Sequence, residues 1–293
     1  MKHDLFKNFF TPKAMQRLSE LIGLALAEDG PDLTSEAVFD QGDMARAEIK
    51  AKENAVVCGL PIAELVLNEL QPGAGNGVEL FYEDGDEVEP GTVVAVLEAP
   101  ARVLLKAERV ILNFITHMSG IAGLTRAYAR RLEGTRTTLL DTRKTLPGMR
   151  YPEKYAVLAG GGKNHRLDLA EMLMLKDNHI DRAGGIRPAV ERLREAYSPC
   201  PPMEVECRNL DEVIEAAALG VDRIMLDNMA PQELAEALAK VPAGIETEVS
   251  GGVSLDNIRT IAEAGPDFVS VGRLTHSAPA ADFSMKIMID RHD

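Results

Sequence analysis

The sequence predicts an α/β protein in two parts: a mixed first third, then a parallel βα array that closes into a barrel. Three observations point there. From about residue 137, apolar strand candidates alternate with helical patterns: TTLLD, YAVLAG, EMLMLKD, MEVE, DRIMLD, TEVS and FVSVG. Such alternation implies parallel strands and right-handed crossovers, in an open sheet or a barrel. Second, nearly every candidate ends in a polar group or Gly: Asp141, Lys176, Glu206, Asp227, Ser250 and Gly272. A barrel gathers such ends on one rim, whereas an open sheet spreads them along an edge. Third, seven candidates is one short of the usual eight, so either a strand is missed or the barrel is a seven-stranded variant.

The elements follow in order. Residues 11–28 place Leu18, Leu21, Ile22 and Ala25 at helical spacing, with Thr11 as N-cap and Pro12 at the first helical position. ARAEIKAKE, GVELFYE and TVVAVLEAP read as strands, separated by Gly-rich turns such as NG and EDGD. Val103–Leu132 reads as one or two helices, interrupted near Ser119-Gly120. In the second part, Asn209 is placed to cap NLDEVIEAAALG with Glu212 at N3, and Ser254 to cap SLDNIRTIAEAG.

Composition bounds the function. The 293 residues are 45% hydrophobic and 27% charged, enough for one large domain or two ordinary ones. No apolar run reaches transmembrane length, and the N-terminal residues show no secretory signal pattern. The three cysteines, Cys58, Cys200 and Cys207, suggest neither a disulfide framework nor a zinc site and fit a reducing cytosol. A net charge of −14 argues against general nucleic-acid binding, which needs a basic face. It leaves room for a local basic pocket.

Asp141–Arg166 supplies that pocket. Arg143, Lys144, Arg150, Lys154, Lys163, Arg166 and His165 crowd this segment around a Gly-Gly-Gly run. Arg143, Lys144, His165, Arg166 and Lys176 would meet on one barrel rim. Their mutual repulsion calls for a substrate with several negative charges, unless they simply cover a solvated face. Glu206 and Asp227, on neighbouring strand ends, suit Mg²⁺, direct stabilisation of a cationic transition state, or salt bridges to the basic cluster. Ser250-Gly251-Gly252 before a helix, with Gly272 after the last strand, reads as a phosphate cradle. Lys176, with His179 three residues on, also admits a Schiff-base, aldolase-like reading. Cys207 reads as a packing residue.

DTRKTLPGMR, GGGKNHRLDL, LKDNHI, MEVECRN, IMLDNM and EVSGGVSLDNI occur in this order. Together they closely resemble the quinolinate phosphoribosyltransferase family over nearly the whole chain. The acidic-pair-plus-TTG loop of the commoner phosphoribosyltransferase fold is missing, as this separate class implies. The one departure is EDGPDLTSEAV, shorter than the family's usual Gly-Asp stretch.

The resemblance implies an N-terminal α/β sandwich, residues 1–118 completed by 277–293, and a seven-stranded α/β barrel, residues 119–276. It implies transfer of the phosphoribosyl group of 5-phosphoribosyl 1-pyrophosphate to quinolinate with decarboxylation, using Mg²⁺, in a cytoplasmic homodimer or a larger homo-oligomer. Arg143, Arg166, His165 and a partner's Arg109 would meet the quinolinate carboxylates. Lys144 and Lys176 would lie between the two substrates. Glu206 and Asp227 would face the ribose and the Mg²⁺–pyrophosphate, and Ser250, Gly251, Gly252 and Gly272 would hold the 5′-phosphate. A non-catalytic anion-binding homologue would have lost some of these groups.

Overall fold

The structure, a computed structural model, describes residues 5–72 and 76–289. Residues 1–4, 73–75 and 290–293, which the expected N-terminal domain and its C-terminal completion include, lie outside the described residues. The chain forms two compact units. One comprises Met1–Arg126, Thr145–Gly161 and Leu274–Asp293, the other Ala127–Lys144 and Gly162–Arg273.

The first unit opens with helices α1 (Leu5–Phe9), α2 (Pro12–Glu28) and α3 (Leu33–Val38). Pro12 takes the first helical position of α2 as its fixed φ favours, although the Thr11 side chain makes no capping bond. Leu18 and Ile22 are buried, each contributing about 1.5–3 kcal/mol of transfer free energy. Next come β1 (Met44–Ala51), β2 (Ala55–Val56), α4 (Ile62–Leu70), β3 (Gly77–Leu80), β4 (Glu87–Val88), β5 (Val93–Pro100) and α5 (Ala101–Arg131).

The expected interruption near Ser119-Gly120 is not there: α5 runs unbroken through both residues. The Ser119 hydroxyl accepts the Cys58 N–H at 2.9 Å. Gly120 is needed for close approach, since a Cβ there would sit 2.0 Å from the Pro279 carbonyl oxygen.

The second unit carries six parallel strands in the order β6-β11-β10-β9-β8-β7. They are β6 (Thr138–Leu140), β7 (Leu173–Leu175), β8 (Met203–Cys207), β9 (Arg223–Asp227), β10 (Glu246–Ser250) and β11 (Phe268–Ser270). The seventh expected strand is wrong. Tyr155–Ala159 belongs to helix α6 (Arg150–Ala159), in the first unit. Tyr155, Ala156, Val157 and Ala159 are all buried, and a helix buried on most sides carries the same apolar run as a core strand. Phe6, Phe9 and Phe10 surround the Tyr155 ring, and its hydroxyl donates to Asp84 Oδ2 at 2.8 Å. The seventh parallel track comes instead from Lys163, which forms a bridge with Leu140 beside β6.

The crossovers are helical: α7 (Asp177–Ala183), α8 (Ile186–Ala196), α9 (Leu210–Ala218), α10 (Pro231–Lys240) and α11 (Ile258–Glu263). Asn209 caps α9 as expected, accepting the Glu212 N–H at 3.0 Å. Ser254 does not cap α11. A turn intervenes, and the Asn257 side chain folds back to accept the Ser254 N–H. The short α12 (Arg273–His276) follows, and the chain ends in β12 (Phe283–Ile289). This last strand joins the first unit's antiparallel sheet, ordered β12-β1-β5-β3.

Alternation along the parallel strands sorts their side chains. Val205, Cys207, Ile224, Leu226 and Val249 pack with the helices in one buried apolar cluster. The intervening positions, Glu204, Glu206, Arg223, Asp227, Glu248 and Ser250, point to the other face. His165, two residues beyond the bridge at the β6 edge, reaches both Glu204 on β8 and Glu248 on β10. The sheet therefore curls on itself, with its polar face inside, as in a barrel.

Candidate anion site at the strand ends

A cavity of about 500 Å³ opens at the C-terminal ends of the parallel strands. It is lined by Arg143, Lys144, His165, Arg166, Lys176, Glu206, Asp227 and Ser250, among the residues expected from sequence. Gly251, Gly252 and Gly272 follow the ends of β10 and β11 but are not among its lining residues. Arg109 lies exposed on α5 in the first unit.

Local chemistry explains the positions. Asp141, fully buried at the end of β6, holds the loop that carries His165. Its Oδ1 accepts the His165 N–H and its Oδ2 accepts Asn164 Nδ2, both at 2.8 Å. Arg143 and Lys144 follow two and three residues later. Arg166 is anchored through Nη1 to the Met172 carbonyl at 2.8 Å. Burial, and then the neighbouring Arg143 charge, lower its pKa. Two guanidinium groups set side by side in this way are stabilised by a bound anion.

Lys176 Nζ is ion-paired with Glu206 Oε2. That pairing engages the amine and leaves the aldolase-like reading without support. His179 is a helix cap, its Nδ1 accepting the Lys176 N–H at 3.1 Å. Gly251 has a φ of +92°, and a Cβ there would lie 2.2 Å from Asn228 Oδ1. Only glycine lets the turns after β9 and β10 approach so closely.

Around His165 stand two carboxylates that sequence reasoning missed, Glu248 in the cavity lining and Glu204 beside it. Glu204 and Glu248 are fully buried, and His165 is nearly so. His165 Nε2 lies 3.0 Å from Glu204 Oε2 and 3.4 Å from Glu248 Oε2. Its Nδ1 accepts the Arg166 N–H at 2.7 Å. Arg223 reaches Glu248 at 3.3 Å and Glu246 at 2.7 Å, and its guanidinium stacks on Phe268 at 4.2 Å.

Burial lowers the His165 pKa, but Glu204 and Glu248 outweigh it and push it up to about 9. Burial, then Glu248, raise that of Glu204. For Glu248, His165 and Arg223 overcome burial and lower it. Geometry opposes the rise at His165: with Nδ1 accepting the Arg166 N–H, the ring keeps its single proton on Nε2, beside the two glutamates.

His165, Glu204 and Glu248 are the one group among the described residues with three potential metal-ligand atoms within 4.8 Å of each other. Arg223 already supplies a cation there. Glu206 and Asp227 instead face the open cavity on adjacent strands. Two carboxylates beside an anion pocket suit Mg²⁺, which keeps several waters and takes one or two carboxylates.

The signal for the missed residues was period two. In MEVE and ETEVS, the charges two residues before Glu206 and Ser250 must share their face. Cys207, one residue away, points into the helix-side core, where burial raises its pKa.

Fold and site together define an α/β-barrel protein with a cation-rich cavity on the rim where its parallel strands end. Two family models match: "Quinolinate phosphoribosyl transferase, N-terminal domain" over residues 32–119 and "Quinolinate phosphoribosyl transferase, C-terminal domain" over 121–286. The chain is 40% identical to a probable nicotinate-nucleotide pyrophosphorylase [carboxylating] of Bacillus subtilis, covering 88% of each protein. It is 37% identical to the human nicotinate-nucleotide pyrophosphorylase [carboxylating], over 92% of this chain and 91% of that protein. The crystal structure of NadC from Streptococcus pyogenes superposes with a TM-score of 0.88 at 38% identity, covering 96% of this chain and 99% of that one. The chain belongs to the quinolinate phosphoribosyltransferase family. Among the described residues, no helix is long and apolar enough to cross a membrane.

Proposed function

We propose that the chain transfers the phosphoribosyl group of 5-phosphoribosyl 1-pyrophosphate to quinolinate, releasing pyrophosphate and CO₂ and forming nicotinate mononucleotide for de novo NAD synthesis. The observation that carries this, beside family membership, is the cavity in which Arg143, Lys144, Arg166 and Lys176 face Glu206 and Asp227. A dicarboxylate and a polyphosphate need the cations, and a ribose that becomes positive at C1 needs the carboxylates.

In this reading Arg143 and Arg166 bind the quinolinate carboxylates, and His165 and a partner's Arg109 complete that pocket. Lys144 and Lys176 lie between quinolinate and the phosphoribosyl donor. Ser250, Gly251, Gly252 and Gly272 take the 5′-phosphate. The quinolinate nitrogen forms a bond to C1 as the C1–O bond breaks, and its electron pair leaves with pyrophosphate. Glu206 and Asp227 stabilise the positive charge that develops at C1 between these events. The product ring nitrogen is cationic. Loss of CO₂ from the adjacent carbon leaves its electron pair next to that positive nitrogen, and a proton then takes its place. Mg²⁺ bound by Glu206 and Asp227 would neutralise charge on the leaving pyrophosphate.

The chain acts as a homodimer in the cytoplasm, where its free cysteines meet a reducing environment. The test is incubation with quinolinate, phosphoribosyl pyrophosphate and Mg²⁺, with assay of nicotinate mononucleotide and CO₂. Absence of both products refutes the activity. Full turnover after chelation by EDTA refutes the metal, and a monomer in sedimentation with full activity refutes the shared site.

A further inference from the structure

We propose that Glu204 and Glu248, braced by Arg223, are positioning residues that clamp His165 from inside the barrel and, through His165, fix Arg166 for recognition of the substrate's carboxylate. The proposal rests on the quinolinate reading given above.

The geometry forms a chain of contacts. Arg223 reaches Glu248 at 3.3 Å. Glu248 and Glu204 face His165 Nε2 at 3.4 and 3.0 Å. On the far side of the ring, His165 Nδ1 accepts the Arg166 N–H at 2.7 Å. The His165 backbone is separately tied to Asp141 at 2.8 Å. With the ring set from both ends, the Arg166 amide has one place to be, and the Arg166 side chain starts from a fixed point at the cavity wall.

Both ring nitrogens of His165 are thus engaged by the protein. Its part in the quinolinate pocket therefore includes holding Arg166 in place. Both glutamates are fully buried, and of the two only Glu248 lines the cavity. A buried carboxylate pair costs desolvation unless it is matched, and Arg223 beside Glu248 and His165 beside Glu204 provide the match. An apolar filling would suffice for stability alone. The ionic filling adds orientation, because two carboxylates at 3.0 and 3.4 Å favour one setting of the ring where van der Waals contact lets it turn.

The test uses the full-length protein with Glu204→Ala, Glu204→Gln, Glu248→Ala, Glu248→Gln, Arg166→Ala and the double variant Glu248→Ala/Arg166→Ala. For Glu248→Ala and Glu204→Ala the expected result is a quinolinate KM raised at least about tenfold, as misplacement of a binding group produces. The KM for phosphoribosyl pyrophosphate should stay within about twofold. Glu204→Gln should recover most of what Glu204→Ala loses, because the amide oxygen keeps a polar atom beside Nε2. The double variant should be no worse than Arg166→Ala, since residues acting through one another are not additive.

A purely structural role would lower both substrate affinities together, and that result overturns the proposal. Unchanged quinolinate KM in both alanine variants, or multiplying losses in the double variant, also overturn it. Nitrogen-15 NMR of the histidine rings gives an answer independent of turnover. The wild type should show His165 with its proton on Nε2, and both alanine variants should shift the Arg166 amide. An unmoved amide refutes the clamp. Wild-type protein that shows these signals but does not convert quinolinate refutes the substrate assignment instead.

Discussion

Replacing Arg223 by Met tests how the barrel interior is held. The Arg223 side chain is 15% exposed and Glu248 is fully buried. Burial works against the Arg223 charge, but Glu246, Glu204 and Glu248 outweigh it and raise its pKa. Methionine fills the volume of the aliphatic stem but removes the cation, leaving Glu248 charged and dry. Breaking a buried pair from one side costs about 3–5 kcal/mol. Loss of the stack on Phe268 adds roughly 0.5–2 kcal/mol. The half-exposed Glu246 contributes at most about 1 kcal/mol. The sum is about 3.5–8 kcal/mol, equivalent to a drop in Tm on the order of 10 °C. Urea unfolding followed by circular dichroism reads this as a lower midpoint at constant slope. Adding Glu248→Leu should recover part of the loss, because an apolar pair leaves no buried charge. A loss below about 1 kcal/mol in the single variant would show that Glu248 is not carried by Arg223 and refute the charge matching.

Other outcomes follow from single sites. Gly120→Ala should lower stability by about 1–3 kcal/mol, because its Cβ meets the Pro279 carbonyl, whereas Gly123→Ala on the same helix meets nothing within 4 Å and should raise it by about 0.5–1 kcal/mol. Equal Tm changes in the two variants would refute this. Burial, opposed by the Tyr155 hydrogen bond, raises the Asp84 pKa from 3.8 to about 6. Its contribution to stability is therefore fully present below 3.8 and is lost as pH rises through 6, a change of about 3 kcal/mol. Asp84→Asn should remove that slope, and parallel pH–stability curves for the two proteins would sink the assignment. Arg143→Ala and Arg166→Ala should each raise the quinolinate KM at least about tenfold with a smaller effect on kcat. Steady-state kinetics with an unchanged quinolinate KM would rule out direct carboxylate binding.

The rim of the barrel was legible in the sequence because each parallel strand ends where its apolar run ends. Lys176, Glu206, Asp227 and Ser250 sit at such ends, and all four line the cavity. YAVLAG misled because a short apolar run does not distinguish a core strand from a buried helix. Its true environment, the Phe6–Phe9–Phe10 cluster, is set by residues far away in sequence. The continuity of α5 was hidden for a similar reason. What makes glycine necessary at position 120 is the approach of Pro279. The buried glutamates were within reach of the period-two rule but carried no motif. Glu204 and Glu248 each stand two positions before a rim residue and show their role only when His165 is seen to fold back between them.

The division of labour between the two faces of the sheet explains how the barrel tolerates a charged interior. Val205, Cys207, Ile224, Leu226 and Val249 are buried against the helices at 0–5% exposure. At about 1.5–3 kcal/mol for each fully buried large side chain, that outer layer carries the fold without help from within. The inner layer is then free of the need to be apolar, provided its charges match. Met174 and Met225 border the cavity beside Lys176 and Asp227, so the polar face is not uniformly wet. Its charges work in a partly dry setting, where each hydrogen bond is stronger and each mismatch costs more. A layer so constrained has few arrangements open to it, and that restriction gives the rim above a fixed base on which to hold two anionic substrates in register.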